Sequence, residues 1–172
     1  SGFFGGKLDS FLMRLADIQF SIPYLIVAIF TSAIFKLAFG IGRYEDLAEI
    51  LLIVIIGMSQ WPHYARTVRA SVLGEKNKEC VEAPRVIGIN RRQIMFRHIL
   101  PNTMTPVLVI STIQVANAIM SEAALSFLGL GMPITKPSLG SLIRAGFEYI
   151  FSGSWWITFF PGVLLVIVVL VI

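Results

Sequence analysis

Two long runs without a charged side chain constrain this chain more than any other feature. Ile18 to Phe35 holds no Asp, Glu, Lys or Arg, and neither does Thr103 to Ser121. Each approaches the ~20 residues that a helix needs to cross about 30 Å of hydrocarbon. Composition points the same way. The chain is 56% hydrophobic and 14% charged, where soluble domains carry roughly 45–50% apolar and about 25% charged residues. The expected fold is an all-α integral membrane helical bundle. Four spans are expected, at residues 12–39, 46–73, 103–127 and 156–172, together with a polar segment over 74–102.

Several classes of function are disfavoured at once. The net charge is +4, but the basic cluster is flanked by spans and has no interleaved aromatic platform, so nucleic acid is a poor partner. Cys80 is the only cysteine, which excludes an internal disulfide. His63 and His98 lie far apart without carboxylates at ligand spacing, so no metal site is expected. No GxxxxGK[ST] pattern occurs, so ATP chemistry would have to reside on another chain. Ser1 opens on SGFFGG without a start methionine, and Ile172 lies inside an apolar run. The chain reads as a piece of a longer protein.

Taken in order, the first span carries Pro23, expected to kink it. Arg14 and Asp17, at i and i+3, read as a helix-surface pair near the interface. Lys36 to Glu49 reads as a short polar connection whose acids suit the first turn of the next helix. That helix should leave the membrane near Trp61–Arg69, since Trp and Tyr favour the boundary and Arg the water beyond. Met132–Ser138 reads as a loop, Leu139–Phe151 as a short surface helix, and Trp155 and Trp156 as interfacial anchors.

The organising stretch is Glu82 to Asn102, EAPRVIGINRRQIMFRHILPN. Cys80, Ala83, Pro84 and Ile87 repeat at i, i+3, i+4, i+7 and form an apolar stripe. Gly88 is placed to end that helix in a left-handed turn. A second short helix can start with Asn90 as its cap and run to Leu100, where Pro101 is expected to break it. The unit reads as a stiff lever between two membrane helices. Ten of the fourteen basic residues fall on its side of the membrane when residues 1–14 are counted with it, so the positive-inside rule puts it in the cytoplasm.

This stretch resembles the EAA loop of ABC importer permeases, a pattern of E-A-A, three residues, G, nine residues, I, one residue, L-P. Glu82, Ala83, Gly88, Leu100 and Pro101 stand in register. Pro84 replaces the second alanine, and His98 stands where the isoleucine belongs, with Ile99 one later. Proline suits only a first helical turn, so the helix would start near Ala83 or bend there. WPHYARTVRASVL, FRHILPN, SEAALSFLGLG, WWITFFPG and the opening FFGGKLDSFLMRLADIQFSIP resemble the C-type subunit of the peptide/nickel permease branch, over essentially the whole chain.

The resemblance implies half of a translocation pathway. It implies a second permease subunit, two ATP-binding subunits that hold ATP and Mg, and an external substrate-binding protein. It also implies two further helices before Ser1, and the rest of the last helix after Ile172. Peptide is the implied cargo; nickel, opines or another small solute are the alternatives. A membrane enzyme built on His63, His98 or Glu122, or a passive channel, is the rival from another class. No catalytic residue and no cofactor is expected on this chain.

By this resemblance Glu82, Ala83, Pro84, Arg85, Gly88, Leu100 and Pro101 would couple to the ATPase. Glu82 would either be a solvated helix-start acid or order the turn through backbone amides, Arg91 or Arg92. Arg85, Arg91, Arg92 and Arg97 read as topology determinants on solvated faces, or in part as ATPase contacts. Gln114 and Asn117, at i and i+3, are candidates for lining the pathway or for polar bonding between helices. Glu122 is a lone carboxylate in an apolar run. It would either bond the loop at Ser126 or Gly129, or line the external mouth.

Overall fold

The computed structural model describes residues 5–76, 89–132 and 136–172. Among them the secondary structure is helical, without a strand. In chain order the helices are α1 (Gly6–Ser21), α2 (Tyr24–Lys76), α3 (Arg91–Ile94), a π turn at Met95–Ile99, α4 (Leu100–Phe127), α5 (Leu139–Phe147), a 3-10 turn at Ile150–Ser152 and α6 (Trp156–Val171).

Three features differ from the expected layout, and proline or its absence accounts for each. Pro23 lies between two helices rather than inside one, and the two make a span only as a broken pair. α1 ends at Ser21, and the Pro23 carbonyl accepts the first N–H groups of α2, from Ile26 at 3.0 Å and Val27 at 3.4 Å. Proline has no N–H to continue the ladder of α1 and a fixed φ suited to opening the next helix. The expected connection from Lys36 to Glu49 is instead helical backbone within α2, a stretch that contains no proline to stop it. Pro101 does not break its helix either; the chain passes through it by way of the π turn.

The described residues include two helices long and apolar enough to cross a membrane, Leu47–Lys76 and Met95–Phe127. A third is present if Gly6–Ser21 and Tyr24–Ala38 are taken as one broken span. α6 is apolar but 16 residues long, short of a full crossing. Large apolar side chains face outward along these helices, among them Leu37, Phe151 and Leu170 at 88%, 92% and 79% exposure. Each would cost about 1.5–3 kcal/mol to keep in water, so these faces belong against lipid or further protein.

The chain divides into two compact units, residues 1–21 with 60–112, and residues 22–59 with 113–172. In the first, α1 is held to the C-terminal part of α2 by polar pairs in antiparallel order. Asp9 accepts two hydrogen bonds from Arg69 Nε, at 3.0 and 2.9 Å, and makes an ion pair with its Nη2 at 2.9 Å. Asp17 pairs with Arg66 at 2.5 Å, so its partner is on another helix and not at Arg14. Trp61 Nε1 donates to Gln19 Oε1 at 2.6 Å, and His63 meets the Phe20 ring edge-on at 4.8 Å. The Arg66 guanidinium also lies 4.1 Å from the Phe20 ring centre, a cation–π contact.

The second unit is packed through small residues. Ala28, Leu52, Ile55 and Leu125 form its buried apolar cluster, with Leu25, Leu51 and Met132 against it. Gly140 at the start of α5 lies on the backbone of Ala123, so close that a Cβ there would stand 2.6 Å from the Ala123 Cα. Gly146, in the same helix, meets the backbone of Thr158 in α6 equally closely. Ser138 opens α5 with a capping box: its Oγ accepts from the Ser141 N–H, and the Ser141 hydroxyl accepts from the Ser138 N–H. Small residues let helix backbones approach where lipid offers no hydrophobic drive between helices.

Candidate functional site

Most of the coupling motif, Glu82, Ala83, Pro84, Arg85 and Gly88, lies outside the described residues. Its roots are described, and they are tied together. Ile94 and Ile99, at 2% and 1% exposure, form a buried cluster with Ile89 and with Val72 near the end of α2. Asn102 Nδ2 donates to Glu75 Oε2 at 3.5 Å, a weak bond at the limit of useful geometry. The segment that leaves the described part after Lys76 and re-enters at Ile89 therefore starts and ends on one packed base.

Leu100 and Pro101 sit where the returning chain becomes α4. The Leu100 N–H donates to the Met95 carbonyl five residues back, the wide ring that defines a π turn. Pro101 explains the widening: it offers no N–H to Arg97, and its ring would press on that carbonyl in a tighter α turn. Thr103 closes the first turn of α4, its Oγ1 donating to the Leu100 carbonyl at 2.9 Å.

Gln114 and Asn117 do share a face of α4. Asn117 Nδ2 donates to Gln114 Oε1 at 2.8 Å; Gln114 is buried and Asn117 exposed. Glu122 Oε1 accepts from the Ser126 hydroxyl at 2.5 Å. Ser126 Oγ in turn accepts from the Met132 N–H at 3.1 Å. The carboxylate thus braces the loop that follows α4.

That loop leaves α4 through a Schellman turn. The Leu130 N–H donates to the Leu125 carbonyl and the Gly129 N–H to the Ser126 carbonyl, with Gly129 at φ +78°. Two cations meet this helix end. Lys36 Nζ donates to the Gly129 carbonyl at 3.2 Å, and the Arg144 guanidinium lies against Gly129 so closely that a Cβ there would overlap it. Cations at a helix C-terminus are stabilised by its partial negative charge. Phe127 and Phe147 close the same junction edge to face at 5.7 Å.

Sequence reasoning missed the Asp9–Arg69 pair and the Lys36–Gly129 bond. A signal for the first was present: Asp9 and Asp17 stand about two helical turns apart, and Arg66 and Arg69 are one turn apart. For the second there was none, because a backbone carbonyl leaves no mark in the pattern of side chains.

Helices long and apolar enough to cross a membrane define a helical membrane component. The comparisons give the particular family. The whole chain, residues 1–172, matches the family described as binding-protein-dependent transport system inner membrane component, and the chain belongs to it. It is 36% identical to the dipeptide transport system permease protein DppC of Bacillus subtilis, over 94% of this chain and 48% of that protein. It is 37% identical to the oligopeptide transport system permease protein OppC of the same organism, over 94% and 50%. Against the di/tripeptide transport system permease protein DppC of Pseudomonas aeruginosa the identity is 34%, over 100% and 53%. The chain spans about half the length of these relatives.

Proposed function

We propose that this chain is part of a permease subunit of an ATP-driven importer for di- or oligopeptides in a bacterial cytoplasmic membrane, and that it crosses the membrane several times. The observation that carries the reading is the similarity, over nearly all of the chain, to permease proteins named for dipeptide, oligopeptide and di/tripeptide transport. In this reading residues 77–102 face the cytoplasm and receive the stroke of two ATP-binding subunits. Glu82, Ala83, Pro84, Arg85 and Gly88 form the docked part; Leu100 and Pro101 form the root. ATP and Mg are held by those partners. A second permease subunit completes the pathway, and an external binding protein delivers the peptide.

The charge distribution agrees with this orientation. The ranges 1–21 and 60–112 hold ten of the fourteen basic residues, the excess expected of a cytoplasmic side. The need for a motor is energetic. Moving a two-state gate from 1:99 to 99:1 takes roughly 5.5 kcal/mol of differential binding, and no nucleotide motif on this chain supplies it. Gln114 and Asn117 are the residues proposed to face the pathway.

The test is reconstitution of the full transporter in proteoliposomes. Peptide uptake and ATP hydrolysis should both depend on the binding protein. Single cysteines along 80–87 should cross-link to an ATP-binding subunit. Failure at every position removes the docking assignment, and binding-protein-dependent uptake of nickel or another solute in place of peptide removes the cargo.

A further inference from the structure

The π turn at Met95–Ile99 coincides with the place where this sequence departs from the importer motif. In a continuous α-helix the residue four after Ile94 shares its face. That residue is His98. Ile94 and Ile99 would then stand about 140° apart at 3.6 residues per turn. In the structure both are nevertheless buried in one cluster, while His98 is half-buried and Phe96 is 61% exposed. The five-residue ring from Met95 to Leu100 makes this possible, because it brings the fifth residue onto the face that the fourth would otherwise take.

We propose that Met95–Ile99 is a register joint, in which Ile99 and His98 compete for one apolar slot beside Ile94 and the coupling stroke exchanges them. In the π register Ile99 fills the slot and His98 stands at its edge. In the α register His98 enters and Ile99 turns outward. Burying an imidazole in place of an isoleucine is unfavourable, so the α register needs work from outside. Pro101 holds the opposing preference in place, since its ring would press on the Arg97 carbonyl in an α turn. Exchange of the two registers would rotate α4 relative to α3 by about one residue, roughly 100°. A small displacement at the docked segment would thus become a turn of the membrane helix. The joint rests on the coupling role proposed above for residues 77–102.

The test uses the complete transporter with reactive cysteines removed, Cys80→Ser included. His98→Cys and Ile99→Cys are labelled separately with a soluble maleimide, without nucleotide and after trapping with ATP and vanadate. Without nucleotide, position 98 should label faster than position 99. In the trapped state the order should reverse, with each rate moving roughly tenfold, within the span usual for coupled sites. The same order in both states overturns the joint. If residues 80–87 still cross-link to the ATP-binding subunit, the docking assignment survives that result; if they do not, both fall. His98→Ile gives a second measure, because it lets the α register bury an apolar side chain. Placed in the Ile99→Cys background, it should raise nucleotide-free labelling of position 99 roughly tenfold, and an unchanged rate overturns the proposal.

Discussion

The two compact units solve the same problem, holding helices together where hydrophobic contrast is weak, with different chemistry. The unit of residues 1–21 and 60–112 uses charge: Asp9 with Arg69, Asp17 with Arg66, and Gln19 with Trp61. The unit of residues 22–59 and 113–172 adds close backbone approach at Gly140 and Gly146 to one exposed ion pair, Lys136 with Glu49, and to hydrogen bonds such as that of Lys36 to the Gly129 carbonyl. Long basic side chains can keep their charge near water while their stems cover apolar surface, so pairing by charge works at a membrane boundary. Within an apolar layer a charge is costly, and contact between small residues is the cheaper way to join helices.

The largest effect should come from filling the tightest approach. Gly140→Leu forces a side chain into the Ala123 backbone, which cannot move as a side-chain end could. A loss of 3 kcal/mol or more, roughly the upper range of overpacking, should appear as little or no folded protein in the membrane. A normal yield would mean that unit is not held by this contact.

The next test ranks the charge pairs. Asp9 is 11% exposed at the side chain and bidentate, whereas Asp17 and Arg66 are 61% and 49% exposed. Asp9 is nearly enclosed while Arg69 still reaches water at 37% exposure, so losing this pair should cost more than losing the more exposed one, which contributes about 0–1 kcal/mol. Asp9→Asn should therefore lower the thermal midpoint of the purified transporter clearly more than Asp17→Asn does, and exchange of the charges at 9 and 69 should restore part of the loss. Equal effects of the two single changes would refute the ranking.

Gly129→Ala should fall between these two pairs. It places a Cβ at φ +78° and against a mobile Arg144 guanidinium, a cost of roughly 1–2 kcal/mol for the backbone alone. Double substitution with Arg144→Ala should recover only the steric part. The smallest effect should be that of Glu122→Gln. The amide oxygen can still accept the Ser126 hydroxyl, so peptide uptake should stay within about twofold of wild type, as expected for a loss below roughly 0.5 kcal/mol. A tenfold loss would return Glu122 to the pathway.

Much was legible before any coordinates. Charge-free runs mark the apolar helices, and Glu122 stood out as a carboxylate in need of a bond. Spacing also put Gln114 and Asn117 on one face, where they are hydrogen-bonded. Prolines misled in both directions: Pro23 separates two helices, while Pro101 is carried within one. The rule that proline ends a helix describes a local cost, and whether the chain stops, restarts or widens its ring depends on what its neighbours bury.

What the sequence alone determined is therefore the solvent each stretch can tolerate, because transfer free energy is a property of the residues themselves. Which partner each polar group takes was decided only by tertiary structure. Asp17 had a base three residues away and bonded one 49 residues away. Ile99 lay off the α-helical stripe and became buried. Hydrogen bonds and packing slots act over a few ångströms, and such distances between residues far apart in the chain exist only once the helices have come together.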